Sequence, residues 1–172
     1  MNYTYAGIGS RETPSDICYL MTNIARKLDD IGLILHSGGA DGADEAFEKG
    51  AFKKKIFLPW SGFNNKKEDG YSYIVPKYEE SLIQKYHPGA QYLKQGAMKL
   101  MSRNSYQVLG SDLQSPVDFV ICWTKDGKAS GGTGQALRIA EAYTIPVFNL
   151  KRPDDLRLLG QFIIENYGII SN

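Results

Sequence analysis

The stretch Leu33-Ile34-Leu35-His36-Ser37-Gly38-Gly39-Ala40-Asp41-Gly42-Ala43-Asp44 decides the fold of this chain. Its apolar start predicts a buried strand, and an amphipathic helix is predicted from Ala43 to about Phe52. The glycine pair between them permits a sharp turn and lets a ligand approach the backbone closely. The helix start offers free N–H groups and the positive end of the helix dipole, which favour phosphate or carboxylate. The unit therefore predicts a nucleotide-binding loop or, alternatively, a tight βα turn that binds nothing.

The composition is that of one ordinary globular domain. The chain has 172 residues, of which 42% are hydrophobic and 23% are charged, so we expect a single domain over 1–172. The formal net charge is +1, which gives no general basic field for nucleic acid. Lysine clusters at 53–55 and 66–67 have acidic neighbours, as is typical of a solvated mixed-charge surface.

The cysteines and the absence of long apolar runs indicate a cytoplasmic protein. Cys18 and Cys122 are far apart and form no metal or redox motif, so we expect two buried thiols, no metal and no cofactor. No apolar run approaches the length of a membrane span, and the first residues lack the features of a signal peptide. We therefore expect no membrane partner.

Strands and helices alternate along the chain. Their short connections predict parallel βαβ units with right-handed crossovers. The expected fold is an α/β, Rossmann-like, open and mainly parallel sheet flanked by helices. The predicted strands are 3–8, 33–35, 55–59, 117–123 and 146–150, and the predicted helices are 13–31, 43–52, 77–86, 94–109, 132–143 and 153–167.

An aromatic-rich segment, 60–76, interrupts this alternation. It combines Gly62, Gly70 and several asparagines with aromatic residues that include Trp60 and Phe63. A loop of this length in a compact domain is more often functional than idle. We interpret 60–92 as an insertion or lid region, with cover for a sheet edge as the alternative interpretation of the loop.

Four predicted strand ends carry glycine, hydroxyl, basic or acidic residues. Ligands of open parallel sheets bind at the carboxyl ends of the strands. The small residues there suit a site lined by backbone, and a second glycine turn precedes the helix predicted from Gly132. The four ends are Gly7-Ile8-Gly9-Ser10-Arg11, Ser37-Gly38-Gly39-Ala40-Asp41, Trp123-Thr124-Lys125-Asp126 and Ser130-Gly131-Gly132-Thr133-Gly134-Gln135.

These motifs, with Arg103-Asn104 between them, occur in the order typical of the SLOG superfamily. The chain resembles this superfamily over nearly its whole length, and it is most similar to the short stand-alone DprA-like proteins of bacteriophage genomes. The superfamily includes the DNA-processing protein DprA, the LOG phosphoribohydrolases and ligand-sensing domains of bacterial defence proteins. The motifs are specific for the superfamily but not for an activity.

Similarity to the LOG enzymes implies N-glycosidic cleavage of a nucleoside monophosphate. Arg103 matches their arginine, and Gly131, Gly132 and Gly134 match their glycines. The positions of their glutamates instead carry Leu137 and Arg138. A carboxylate is what would stabilise the sugar cation or transfer a proton. The catalytic candidates that remain are Asp44 and Glu141, with Asp41 and Glu45 as further carboxylates; for Asp44, a structural acid in the first turn of a helix is the alternative.

Similarity to DprA implies binding of single-stranded DNA and recombinase loading. Arg11 and Arg103 match basic positions of that group. The near-zero net charge and the lack of DprA's additional terminal domains argue against it, because a DNA groove normally shows a stripe of Lys and Arg. Nucleic acid is therefore a partner that the sequence allows but does not favour.

Similarity to the ligand-sensing domains implies a pocket that holds a nucleotide-like molecule, such as ADP-ribose, cyclic ADP-ribose or a nucleoside phosphate, without cleaving it. A phage protein of this kind would sequester an immune signal in the host cytosol, and its relatives imply a homo-oligomer. Arginines and loop amides would bind phosphate, a tryptophan would stack on the base or ribose, and an aspartate would accept from ribose hydroxyls. The expected ligand-binding residues are Gly9, Ser10, Arg11, Ser37, Gly38, Gly39, Asp41, Asp44, Trp60, Arg103, Asn104, Trp123, Thr124, Gly131, Gly132, Thr133, Gly134 and Gln135.

Overall fold

The computed structural model describes residues 2–75 and 80–168. They form one six-stranded, all-parallel sheet with helices on both faces, which confirms the expected α/β, Rossmann-like class. The strands are β1 (Thr4–Gly7), β2 (Ile34–Ser37), β3 (Lys54–Leu58), β4 (Ser72–Ile74), β5 (Phe119–Cys122) and β6 (Val147–Asn149). The helices are α1 (Ser15–Asp30), α2 (Ala43–Gly50), α3 (Glu80–Tyr86), α4 (Gln95–Leu109), α5 (Thr133–Ala142) and α6 (Asp155–Tyr167).

The strand order is β4-β3-β2-β1-β5-β6. The chain builds the sheet outward from β1 in one direction, and then returns to place β5 on the other side of β1. In the register, Ala6 of β1 lies opposite His36 of β2 and Val120 of β5. The order therefore reverses between β1 and β5, and the crevice at their carboxyl ends is where a ligand of such a sheet binds.

Two apolar layers cover the faces of the sheet. On one face α1, α2 and α6 pack around Tyr5, Phe47 and Phe119, all three fully buried. On the other face α4 and α5 pack on Ala6, Val120 and Cys122. Both faces of the central strands are covered, which is why β5 is apolar at every position.

The sequence did not predict β4, which lies within the segment interpreted as a loop. It is three residues long, too short to show an alternation of polar and apolar side chains. Helix α2 ends at Gly50, earlier than the predicted Phe52. The predicted helix 77–86 is observed from Glu80, and its first three residues lie outside the described part of the chain.

Carboxylates accept hydrogen bonds from outer backbone donors in both edge strands. The outward N–H groups of Ser72 and Ile74 in β4 donate to Asp69 Oδ1 (2.7 Å) and Glu68 Oε1 (3.2 Å). At the opposite edge, the Asn149 N–H of β6 donates to Asp155 Oδ2 at 2.8 Å. An unpaired sheet edge is a template for pairing with another strand, and these contacts disfavour such pairing.

No helix in the described ranges 2–75 and 80–168 is long and apolar enough to cross a membrane.

Candidate functional site

A cavity of about 670 Å³ opens at the carboxyl ends of β1 and β5, at the point where the strand order reverses. Its volume is typical of small-molecule sites, and its position is the expected one for an open α/β sheet. Its walls come from the loop after β1, the start of α2, one face of α4 and the loop between β5 and α5. Ten of the predicted residues line it, namely Gly9, Ser10, Arg11, Asp44, Arg103, Asn104, Thr124, Gly131, Gly132 and Thr133.

The pair Arg103-Asn104 on α4 joins the two glycine loops. Arg103 donates through Nη1 to the carbonyl of Gly38 and through Nε to Asn104 Oδ1 at 3.1 Å. Asn104 in turn donates through Nδ2 to the carbonyl of Gly132 at 2.9 Å. The Arg103 side chain is 94% buried yet lines the cavity, so a guanidinium cation is held in its wall.

The amides of the first glycine loop donate to carboxylates of α2. The Gly39 N–H donates to Glu48 Oε1 at 2.9 Å, and the Ala40 N–H donates to Asp44 Oδ2 at 3.2 Å. Gly38 and Gly39 do not line the cavity, whereas Ala40 does. The loop thus has the geometry expected of an anion-binding turn, but its anions are the protein's own side chains.

Asp44 is the buried carboxyl group of the cavity. Burial raises its pKa from the usual 3.8 to about 7, the Arg103 cation opposes that rise, and Glu48 adds to it. Burial also raises the pKa of Glu48, against the effect of Lys66, whose Nζ lies 3.1 Å from Glu48 Oε2. A carboxyl with a pKa near neutrality, facing a cavity, is able to donate or accept a proton there.

The second glycine loop presents the N-terminus of α5 to the cavity. Gly131 adopts a left-handed φ of +61°, and Gly131, Gly132 and Thr133 all line the cavity. The loop is fixed by its own hydrogen bonds, because Asp126 Oδ1 accepts from Ser130 Oγ at 2.7 Å and from the Lys128 N–H at 3.0 Å. The positive end of the α5 dipole therefore faces the cavity from a braced loop.

The loop after β1 completes the mouth of the cavity. Arg11 is exposed there and close enough to Arg103 to lower the pKa of that guanidinium, an effect secondary to burial and the opposing Asp44 charge. The Ser10 N–H donates to the Trp123 carbonyl at 3.1 Å, which ties the ends of β1 and β5 together. A Cβ at Gly9 would lie 2.8 Å from Ala43 Cβ, so the chain needs glycine at this crossing.

Several predicted ligand-binding residues support the walls instead of lining the cavity. Ser37 is buried and donates to the Gly7 carbonyl at 3.0 Å. Trp123 belongs to the larger apolar core, and Trp60 packs edge-on against Phe63. Asp41 is exposed and accepts from Asn64 Nδ2 at 3.0 Å.

The remaining predicted residues lie on α5 or just after β5. Gly134 has no room for a Cβ, which would lie 2.8 Å from the Ala129 carbonyl. Gln135 is fully buried away from the cavity lining, and Glu141 is exposed near the end of the helix. Thr124 lines the cavity, but its hydroxyl donates to the Lys128 carbonyl at 2.8 Å and so also serves the loop.

The positions that carry glutamates in LOG enzymes face elsewhere. Leu137 is buried in the core between α5 and the sheet. Arg138 donates to the carbonyls of Tyr86 and Ala129, which links α3 to the second glycine loop. Among the described residues that line the cavity, Asp44 is the buried carboxyl group, so it is the candidate that could take the part of those glutamates.

Sequence reasoning missed part of the wall that α4 contributes to the cavity. Leu100, Met101 and Gln107 of α4 line it together with Arg103 and Asn104. Positions 100, 103, 104 and 107 lie on one face of a helix. Once Arg103 was assigned to the site, its neighbours at this spacing could have been predicted from the sequence. Glu12, Lys125 and Asp126 add charged groups at the mouth.

The chain matches no protein-family model and no curated protein by sequence. In the described structure it is similar to DNA processing protein A from Helicobacter pylori, a protein that binds single-stranded DNA (TM-score 0.57, 22% identity, 93% of this chain and 72% of that chain). It is also similar to DprA from Streptococcus pneumoniae (TM-score 0.56, 18% identity, 98% and 62%). A third similar structure is the Moco carrier protein of Chlamydomonas rheinhardtii (TM-score 0.52, 13% identity, 94% and 84%).

These likenesses concern the fold. The parallel sheet with helices on both faces confirms the predicted Rossmann-like class, and the strand order was not predicted. The chain thus shares a Rossmann-like α/β fold with DprA and the Moco carrier protein.

Proposed function

We propose that the chain binds a nucleotide-derived small molecule of the ADP-ribose, cyclic ADP-ribose or nucleoside phosphate type at the carboxyl edge of the sheet. The observation that carries this proposal is the meeting of Arg11, Arg103 and the N-terminus of α5 at one cavity of about 670 Å³. Guanidinium groups and a helix N-terminus are both preferred partners of phosphate.

The phosphate would lie toward the second glycine loop. The amides of the first loop already donate to Glu48 and Asp44, so a phosphate there would have to displace an internal anion. The base or ribose would then lie against Leu100 and Met101, the apolar and polarisable part of the wall. Asp44 is placed to accept from a ribose hydroxyl on the opposite side.

The biological setting that we propose follows the resemblance to short phage proteins. Such a protein would sequester a host immune signal in the cytoplasm of the infected cell, and it would do so as a homo-oligomer. Return of an intact ligand from the denatured protein would support sequestration. The mass of the native protein in solution, measured by light scattering, would test the oligomer separately.

A second candidate function is hydrolysis of the N-glycosidic bond of a nucleoside phosphate. The position of Asp44 supports it, because a cavity-lining carboxyl with a pKa of about 7 is suited to general acid or base chemistry at neutral pH. In that case Asp44→Asn would abolish release of free base while leaving ligand binding in place. Glu141 is the other carboxylate candidate, and its exposed position on α5 makes Glu141→Gln a suitable comparison.

A third candidate is binding of single-stranded DNA, suggested by the likeness to DNA processing protein A. Arg11 and Lys125 are exposed at the cavity mouth and would contact the DNA backbone. Binding of this kind would weaken steeply with salt. The enclosed arrangement of Arg103 favours a small ligand over a strand.

The deciding experiment incubates the protein with a panel of nucleoside monophosphates, ADP-ribose and cyclic ADP-ribose isomers, and then identifies by mass spectrometry what the washed, denatured protein releases. Intact ligand in near-stoichiometric yield supports binding, and free base beyond one equivalent supports hydrolysis. Failure to retain or cleave any member would overturn both small-molecule functions, and a salt-dependent shift of labelled single strands would then favour DNA.

Arginine variants locate the site. Because Arg11 is exposed, Arg11→Ala should leave the fold intact and weaken binding of the retained ligand about tenfold or more, measured by calorimetry. Arg157→Ala changes another exposed arginine, on α6; it is the matched control and should bind as the wild type does. Equal affinities of the Arg11 and Arg157 variants would remove Arg11 from the site.

A further inference from the structure

Segment 60–66 packs against the cavity wall from behind. Phe63 is 7% exposed and forms a small apolar core with Ala40, Ile56 and Leu58, and Leu100 packs on this core. Ala40 and Leu100 also line the cavity, whereas Phe63 does not. The small core is therefore the layer directly beneath part of the ligand-binding surface.

Polar contacts and an unusual backbone fix the segment. Gly62, Asn64 and Asn65 have φ values of 78°, 51° and 59°, in the left-handed region that glycine and asparagine tolerate best. Asn64 Nδ2 donates to the Gly39 carbonyl at 3.0 Å, and Lys66 forms its ion pair with Glu48. The residues that follow Phe63 thus hold the segment to the first glycine loop and to α2.

The Phe63 ring lies against the buried cation of the cavity. Arg103 Cζ is 5.6 Å from the ring centroid, within the range of a cation–π interaction, which is strongest when the cation is removed from water. Two hydrogen bonds, donated by Nε and Nη1, already fix the guanidinium in its plane. The ring adds a contact that restrains the group from a different direction.

We propose that Phe63 is a positioning residue for Arg103, so that phosphate binding depends on an aromatic ring that does not line the cavity. The ligand part of this inference rests on the proposed function. The positioning of Arg103 in the free protein is independent of the proposed function and can be measured without any ligand.

The test compares three variants. Phe63→Leu keeps an apolar side chain in the small core but removes the ring, Phe63→Tyr keeps the ring, and Phe52→Leu removes an 81% exposed phenylalanine elsewhere as the control. Nitrogen-15 NMR of the arginine side chains reports the Nε–H resonance of Arg103, assigned with Arg103→Lys, and its exchange with water. Calorimetry with ADP-ribose and with pyrophosphate reports affinity.

We expect Phe63→Leu to shift the Arg103 Nε–H resonance, to accelerate its exchange, and to weaken binding about fivefold to tenfold. Phe63→Tyr and Phe52→Leu should match the wild type in all three measurements. If Phe63→Leu does not unfold cooperatively, Phe63→Met takes its place, because methionine adapts to irregular spaces.

Two results would overturn the positioning role. One is an unchanged Arg103 resonance in the folded leucine or methionine variant. The other is an equal loss of affinity in Phe63→Tyr and Phe63→Leu, which would indicate packing of the small core alone. A shifted resonance in a protein whose wild type binds no member of the panel would support the positioning and refute the proposed ligand.

Discussion

Gly38 is the residue at which the first glycine loop meets the buried cation. A Cβ there would lie 2.4 Å from both Arg103 Nη1 and Gln107 Nε2. Both atoms are the ends of flexible side chains, so the side chains can move while the backbone stays in place. Because Gly38 has no side chain, the guanidinium of Arg103 can approach and donate to the Gly38 carbonyl.

We therefore predict that Gly38→Ala remains folded but displaces Arg103 from its place in the cavity wall. The expected result is a loss of unfolding free energy of only about 1–2 kcal/mol, with a loss of ligand affinity of about tenfold. Urea unfolding and calorimetry measure the two effects. A variant that binds as tightly as the wild type would show that the glycine serves the turn and not Arg103.

Asp44 makes stability depend on pH in the opposite sense to an ordinary surface aspartate. Its pKa is about 7 in the folded chain and 3.8 when unperturbed, so the folded protein holds the proton more tightly than the unfolded chain does. Stability from this group is fully present below about pH 4 and declines as the pH rises to about 7. Between pH 5 and pH 8 the loss amounts to about 2–3 kcal/mol.

Asp44→Asn should remove this dependence. The asparagine keeps an oxygen for the Ala40 N–H. Between pH 5 and pH 8, the free energy of unfolding of the variant should therefore fall by about 2–3 kcal/mol less than that of the wild type, measured by urea unfolding. Glu45→Gln, at the exposed neighbouring position, should keep the wild-type profile. Parallel profiles of wild type and Asp44→Asn would mean that Asp44 is ionised throughout this range.

At the scale of elements, α1 and α2 touch so closely at Gly50 that no side chain fits. A Cβ there would lie 2.2 Å from the backbone carbonyl oxygen of Thr22 and 2.8 Å from Ala25 Cβ. Backbone atoms cannot rotate away as side-chain ends do. The position of α2, and with it that of Asp44, depends on this contact.

Two glycine-to-alanine changes in helices should consequently change the free energy of unfolding in opposite directions. Gly50→Ala should lower the free energy of unfolding by about 2–3 kcal/mol, because the helices must separate. Gly160→Ala in α6, where a Cβ meets no atom within 4 Å, should raise it by about 0.5–1 kcal/mol through helix propensity. Thermal and urea unfolding give both values, and destabilisation by both changes would contradict this interpretation.

For the whole molecule, the sequence was sufficient for the fold because the helices and the longer strands carry clear periodicity. The strand β4 escaped prediction since three residues hold no period. The cavity was predictable in outline, because parallel strands bring Arg11 and Gly131 to the same edge of the sheet. The carboxylates that accept from the first glycine loop were not predictable. Glu48, for example, accepts from the Gly39 N–H although it lies nine residues later in the sequence.

The orientation of single side chains was the least predictable part. Trp123 and Thr124 are adjacent at the end of β5, yet the tryptophan points into the core and the threonine lines the cavity. Which of two neighbouring side chains faces the core can be assigned only once the sheet and its two faces are known. Gln107 went unnoticed because an isolated amide carries no signal until Arg103 defines the face of α4.

The carboxylates at the two ends of the sheet restrict how this protein can associate. The outer donors of Ser72 and Ile74 are held by Asp69 and Glu68, and that of Asn149 is held by Asp155, so a neighbouring strand would have to displace these carboxylates before it could pair there. This disfavours joining two copies edge to edge into a continuous twelve-stranded layer. Contact between helical surfaces needs no such displacement, and the cavity mouths would then face outward or toward each other according to which helices meet.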